Sequence, residues 1–488
     1  MPAKTAVFVC PTTHWDREWV MTFGQFRVRL VNLVDRLLGL LERHPDYKFY
    51  LDGQAAVLDD YLEIKPENRD RIAGFMRQGR LAAGPWYVLA DQFLQCGEAT
   101  IRNLTMGMET VRGLGGEPEM LGYVPDSFGS TAGLPMILRG FGITAATFGR
   151  GRPYWGDRLP NTEFRWRAPD GSEVLAIHHG YGNGLFLSYP DIWSDIFAAP
   201  NLRPDPEKAL ETFLQQARHQ AKAAATPGVL YFSVGADHME PREPLVELLD
   251  FINARQDEYA LSFATPGAYA RAVEAAAPDL ISYTGELYGA DDDRIWEGTL
   301  TGRIQLKQMN DQCGLLLASV LEPLYAALAA AGLAEYPQGH LRDLWKKHIL
   351  NHPHDSICGC GIDSINREIR GRYEHVLDTG AYLEKEAMRL LADSVAADGR
   401  AANEAVPLVV ANPAGHARGG RVKKLVRVPR RMPGDAFSLA DEDGKDVPAV
   451  IRRVAEKSKD LESAYMTNAM LASVLSKDAK PEKPDDQV

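Results

Sequence analysis

The sequence predicts an α/β fold with a largely parallel sheet. Short runs rich in β-branched and aromatic residues, such as Thr5–Cys10, Ala145–Phe148 and Val229–Ser233, read as buried strands. Segments of helical period lie between them, the alternation of a parallel α/β layer. Polar residues able to do chemistry follow several of the runs directly, where such folds place their sites.

In chain order, Thr5–Cys10 is a strand that ends in the polar loop Pro11–Asp16. A helix is predicted from Phe26 to Glu42, a strand at Tyr47–Leu51, and helices at Gln54–Leu62 and Asn68–Gln78. Leu81–Trp86, Gly122–Val124 and Ala145–Phe148 read as strands, with Leu134–Gly140 helical. Glu173–Ile177 and Val229–Ser233 continue the strands, and Pro206–Ala225 is a helix between them. Gly298–Ala334 and Arg367–Ala396 are rich in Leu, Ala, Glu, Arg and Lys, which fits amphipathic helices in a small bundle. Beyond Asn403, VPLVVANP and RVKKLVRVPRR read as short strands. The tail from Lys457 is polar and is expected to fray. There is no internal repeat.

The length of 488 residues predicts two or three domains. A hydrophobic share of 45% and a charged share of 25% are globular values. The net charge of −12 offers no basic footprint for nucleic acid or an anionic membrane, which turns attention to small molecules or glycans. Five sparse cysteines make a poor disulfide framework, and Cys358 and Cys360 alone are too few for a zinc site. The N-terminus lacks the apolar core of a signal peptide, and no run is read as long enough to span a membrane. A reducing cytoplasm is the expected compartment.

Four constellations carry chemistry. In His14-Trp-Asp16-Arg-Glu-Trp19, residues two apart share a face of extended backbone, so His14 and Asp16 can address one ion. Imidazole with carboxylate suits zinc or a similar divalent cation; a polar turn with a capping Asp is the alternative. Asp126 follows the strand in GYVPDSFG, either as a site carboxylate or as the cap of the helix from Leu134. Asp237 follows a strand in SVGADH, placed to be a general acid or simply a turn residue. NHPHDSICG gathers His352, His354 and Asp355 in a chain with 12 histidines. One of these histidines can bind an ion while a carboxylate steadies it; a polar interhelical loop is the plain reading.

Together, HWDREW, YVPDSFG, GADH and HPHDSICG, in that order, resemble the family-38 glycoside hydrolases, which are metal-dependent α-mannosidases. YLDGQAAVLDDYL, GPWYVLADQ, DGSEV and GTLTGRIQLKQMN extend the resemblance from residue 5 to about residue 420, nearest the bacterial branch that includes mannosylglycerate hydrolases. The resemblance implies a seven-stranded (β/α) barrel-like catalytic domain over 1–285. A three-helix bundle over 286–398, carrying the last metal ligand, and the start of a β-sandwich region over 399–488 would follow.

By motif position, the resemblance implies His14, Asp16, Asp126 and His354 as ligands of one divalent ion, zinc first, with cobalt, manganese or calcium as alternatives. It makes Asp126 also the nucleophile that forms the glycosyl–enzyme bond, and Asp237 the general acid/base. Retention of configuration then asks for carboxyl groups roughly 5–5.5 Å apart. Trp19 and Phe128 are candidates for apolar walls against the sugar, with core packing as the alternative. Asp355, Arg150 and Tyr181 are candidates for polar contacts. His352 matches a flanking position, and Cys358 and Cys360 are expected to be structural. An acidic substrate would have Arg150, Arg152 and Arg158 as the local basic cluster.

The expected substrate is a terminal α-mannoside, as a small molecule such as mannosylglycerate or as an oligosaccharide. No nucleic acid or membrane partner is expected, and a homo-oligomer is allowed. Family members continue into further β-sandwich domains, so a shortened chain with exposed apolar surface is also expected. Two other readings stand beside hydrolysis. One is a metal-dependent carbohydrate deacetylase, which uses water as nucleophile and needs no carboxylate in that role. The other is an inactive glycan-binding remnant.

Overall fold

A computed structural model describes residues 4–152, 161–180, 204–276, 279–289, 295–395, 406–422 and 438–450. The chain divides into two compact units, 1–385 and 386–488. The chemistry-bearing motifs all fall in the first.

Ten strands are described: β1 (Thr5–Pro11), β2 (Phe49–Tyr50), β3 (Leu81–Ala82), β4 (Gly122–Val124), β5 (Ala145–Phe148), β6 (Glu163–Arg167), β7 (Glu173–His178), β8 (Val229–Val234), β9 (Tyr259–Phe263) and β10 (Ser282–Thr284). They form three sheets, ordered β8-β1-β9, β10-β6-β7-β5-β4 and β2-β3. Every pairing is parallel except β6 with β7. A bridge from Thr12 to Tyr50 links the end of β1 to β2. The expected seven-stranded barrel is therefore met only in part, as parallel strands in separate ladders. Two-residue strands such as β2 and β3 offer too few backbone pairs to carry one ladder around a ring.

The long helix Phe23–Arg43 shows why the layer holds. Thr22 and Gln25 form a reciprocal capping box at its start. Phe26, Leu30, Leu33, Val34, Leu37, Leu38 and Leu41 recur at helical spacing and are buried. Each such side chain contributes about 1.5–3 kcal/mol by leaving water. Just ahead of the helix, Arg17 makes a two-bond contact with Asp60 at 2.9 and 3.1 Å and lies over the Phe23 ring. The HWDREW loop is thus fixed between β1 and this helix.

After β10 the described elements of the first unit are helical. Ile304–Leu315 runs through a wider π turn, Leu316–Leu321, into Glu322–Ala330. By length and composition this run is apolar enough to cross a bilayer, which corrects the sequence reading that none is. The π turn joins the polar helix Ile304–Leu315 to the Leu- and Ala-rich helix Glu322–Ala330 in one long element. Leu306, Cys313, Leu317, Leu321, Leu324 and Leu328 are buried along it, and Gln338–Ile349 packs against it. Helices at His354–Cys358 and Asp363–Ser394 follow.

In the second unit the expected strand VPLVVANP is irregular backbone. Leu408 and Val410 stand exposed there, as do Val422 and Val450. Strand propensity needs a partner ladder and a face to bury, and 406–413 has neither among the described residues. Most of RVKKLVRVPRR lies outside the described residues.

Candidate active site

The site is assembled at the C-terminal ends of β1, β4 and β8. Past β1, the His14 amide donates to the Ala236 carbonyl at 3.0 Å and the His238 amide donates to the His14 carbonyl at 2.7 Å. A parallel bridge between His14 and Asp237 results, so HWD and GADH form one short ladder. Gly235 makes this approach feasible: a Cβ there would sit 2.2 Å from the Thr12 carbonyl oxygen. Asp126 follows β4, and Gly133 occupies the N-cap of the helix Leu134–Gly140. The capping role open to Asp126 in the sequence is therefore not the one it takes.

His354 comes from the helical region, and backbone delivers it. Its amide donates to Leu89 at 3.0 Å, Asp91 donates back to His352 at 3.2 Å, and Ala90 bridges Pro353. The Ser127 hydroxyl donates to the Ala90 carbonyl at 2.9 Å, bringing the Asp126 loop onto the same segment. Glu18 adds a second tie, accepting from the Ser356 hydroxyl at 2.8 Å and from Arg372. Arg372 also donates to Asn351.

These ties bring His14, Asp16, Asp126 and His354 together. Donor atoms of His14, Asp126 and His354 lie within 4.8 Å of one another, and Asp16, His354 and Asp355 form an overlapping group of the same span. His14 Nε2 is 3.2 Å from Asp16 Oδ1 and 3.7 Å from Asp126 Oδ2. His354 Nε2 is 3.3 Å from Asp126 Oδ2 and 3.5 Å from Asp16 Oδ1. Asp126 is half-buried, whereas His14, Asp16 and His354 are fully buried. The carboxylate proposed to react is the one open to a ligand.

The donors fit a divalent cation. Asp52 Oδ2 stands 3.0 Å from His14 Nδ1 and is held by the Trp15 amide at 2.8 Å and Gln54 at 3.0 Å. Placed there, that carboxylate can accept a hydrogen bond from Nδ1–H, which would leave the Nε2 lone pair for the cluster, the usual arrangement of an ion-binding histidine. Two imidazoles and two carboxylates then face one another. Burial alone would lower the His14 pKa, but Asp52 and Asp16 raise it well above its ordinary value. Burial is likewise overcome at His354, which Asp355, Asp126 and Asp16 push up to about 10. Burial works against ionisation of Asp126, yet His354, His14 and Arg150 hold it down at about 2.

Arg150 pairs with Asp126 Oδ1 while Oδ2 faces the histidines. Its guanidinium is also 5.9 Å from the centre of the Phe128 ring. Phe128 stands edge-on to His354 with ring centres 5.5 Å apart. Trp19 is half-buried on the HWDREW loop. Asp237 is half-buried beside His14. Tyr181 and Arg158 lie outside the described residues. His352 turns to Asn310 at 2.8 Å rather than to the cluster.

Two participants stand outside the residues the sequence nominates. Asp52 sits past the end of β2 in YLDGQ, the same strand-end position as His14 and Asp126, so a signal existed. His238 Nε2 lies 3.5 Å from Asp16 Oδ2, with its ring stacked on Phe26 at 3.9 Å; only the fold reveals that. Cys358 and Cys360, expected to be merely structural, converge on Asp355: Cys360 Sγ donates to Asp355 Oδ1 at 3.1 Å, and Cys358 Sγ to its carbonyl at 3.4 Å.

Two family models match the chain. The glycosyl hydrolases family 38 N-terminal domain covers residues 4–286, and the alpha mannosidase middle domain covers residues 294–391. A protein of Halalkalibacterium halodurans named "Putative mannosylglycerate hydrolase" is 34% identical over 429 residues, 83% of this chain and 45% of that protein. Human alpha-mannosidase 2C1 is 27% identical over 383 residues, 78% of this chain and 34% of that protein. The chain thus spans less than half the length of these relatives. The crystal structure of an alpha-mannosidase from Enterococcus faecalis V583 matches with a TM-score of 0.72 and 32% identity, over 80% of this chain and 43% of that one.

Proposed function

The chain belongs to glycosyl hydrolase family 38, and from that premise we propose that it is a metal-dependent, retaining α-mannosidase. The observation that carries the reading is the convergence of His14, Asp126 and His354, with Asp16 against both histidines. These four side chains would hold one divalent ion, zinc first. When bound, the ion supplies positive charge that keeps Asp126 ionised and Lewis acidity towards sugar hydroxyls.

The chain's own residues perform the displacement. A carboxylate oxygen of Asp126 attacks the anomeric carbon as the glycosidic C–O bond breaks, and Asp237 gives its proton to the leaving oxygen. Asp237 then takes a proton from water, whose oxygen attacks the anomeric carbon and releases the Asp126 carboxylate. Arg150 holds Oδ1 of Asp126 and orients the carboxylate. Phe128 offers the sugar an apolar edge, and Trp19 and Asp355 complete the proposed pocket. Retention requires the Asp126 and Asp237 carboxyl groups to work at roughly 5–5.5 Å.

The family relation supports a terminal α-mannoside as substrate, and the name of the H. halodurans relative adds mannosylglycerate. The test is a screen of α-mannosides with and without a carboxylate, run with zinc, cobalt, manganese or calcium on protein first stripped of ions. The reading expects metal-dependent release of mannose. It fails if metal-replete protein hydrolyses none of them, or if Asp126→Asn leaves turnover unchanged.

A further inference from the structure

We propose that Asp355, Cys358 and Cys360 form a second metal site, for a soft divalent cation such as zinc or cadmium, adjoining the cluster around Asp126 through Asp355. One donor atom from each of the three residues lies within 4.8 Å of the other two. Two thiolates and a carboxylate are a donor set suited to such an ion, with a fourth position left for water. Calcium and magnesium, which want oxygen ligands, are poor fits.

The local backbone explains the convergence. Asp355 and Cys358 are three residues apart on the short helix His354–Cys358, so their side chains share a face. Gly359 then reverses the chain with φ of +80°, a conformation natural to glycine, and returns Cys360 to the same side. The Cys360 amide reaches Cys358 Sγ at 3.4 Å. The turn is clamped from outside. Arg303 donates to the Gly359 carbonyl at 2.9 Å, and Lys307 donates to the Cys358 carbonyl at 2.7 Å. The Lys307 charge lies against backbone oxygens, including that of Gly302, rather than between the sulfurs. The donors are therefore arranged before any ion arrives, which lowers the ordering cost of binding.

Access follows from burial: Cys358 is buried and Cys360 exposed, so an ion can enter from solvent at Cys360. On binding, the two thiols give their protons to solvent as two metal–sulfur bonds form. Asp355 would exchange its hydrogen bond from Cys360 for the ion. Because Asp355 also belongs to the group with Asp16 and His354, filling this site would fix a carboxylate at the edge of the proposed pocket.

The test uses reduced, metal-free protein titrated with cobalt(II). The expected result is two ions per chain, with a near-ultraviolet thiolate-to-cobalt charge-transfer band for one of them. In Cys358→Ser/Cys360→Ser the band is lost and one ion remains. A single ion and no such band in the unmodified protein would overturn the proposal, whether or not the chain cleaves any glycoside. Because the double variant could misfold, alkylation of Cys360 in unmodified protein gives a second reading. Zinc should slow it about tenfold or more by holding the thiolate, and calcium should not. Equal protection by both ions would assign the effect to the cluster around Asp126 and overturn the site.

Discussion

Two pairs of buried histidines, each close in space, sit in opposite electrostatic surroundings. His14 and His354 have ring centres 5.4 Å apart, and His348 and His352 have theirs 4.4 Å apart. All four rings are buried. In the second pair burial is the main influence and pushes His348 down to about 3, with His352 also lowered well below its ordinary value. In the first pair the same burial is outweighed by Asp52, Asp16, Asp126 and Asp355, and both rings are raised. Burial alone thus does not set the charge of a histidine in this molecule; the carboxylates around it do. The His348 pair behaves as packing, and the His14 pair as a place where positive charge is wanted.

The largest expected effect lies at the centre of the charged pair. Asp126→Asn should lower kcat on an α-mannoside by about 10⁴-fold or more, while the protein unfolds at an unchanged denaturant midpoint. A drop confined to KM would make Asp126 a binding residue only. Next comes the carboxylate that orients His14. Asn is isosteric with Asp and tolerates the positive φ of residue 52, so Asp52→Asn should keep the fold. It should weaken ion binding by about 10–100-fold, read by competition with a chelating dye. Unaltered affinity would break the contrast at its origin.

The pH dependences of the two pairs should oppose each other. Asp355, Asp126 and Asp16 push His354 up to about 10, so an ion loaded near neutrality is expected to displace its proton. Apparent affinity should therefore rise by about tenfold per pH unit for each proton displaced, up to that pKa. In stability terms, a raised histidine contributes fully below its unfolded value near ~6.5 and loses that contribution as pH rises through the folded value. His348 has the reverse sign. Its folded pKa of about 3 means that below ~6.5 the unfolded chain takes a proton the native state refuses. Stability should fall by about 1.4 kcal/mol per pH unit from that group. His348→Leu should flatten the difference between urea unfolding at pH 7 and at pH 5 by about 2 kcal/mol. An unchanged difference would show that His348 takes its proton without unfolding.

Much of this was legible in the sequence, and the reasons are local. Gly122–Val124, Leu134–Gly140 and Ala145–Phe148 emerge with the predicted bounds because glycines and polar residues punctuate short apolar runs. His14 and Asp16 could be paired from their spacing, and Asp126 from its place after a strand. The route of His354 was not legible, since it depends on a backbone bridge between Ala90 and Pro353, distant in the chain. The role of Asp52 depends on its partner, His14 Nδ1, which lies across two strand ends. Residues 406–413 carry strand propensity yet are irregular, because propensity says nothing about whether a partner ladder is present.

The central claim is that Asp126 attacks the sugar. Metal-replete protein incubated with a fluorinated α-mannoside that slows breakdown of the intermediate, then digested and mapped by mass spectrometry, tests it most directly. One mannosyl adduct per chain is expected, on the peptide carrying Asp126, formed only with the ion present. Turnover of the parent mannoside without any adduct, or an adduct on Asp237 instead, would contradict it.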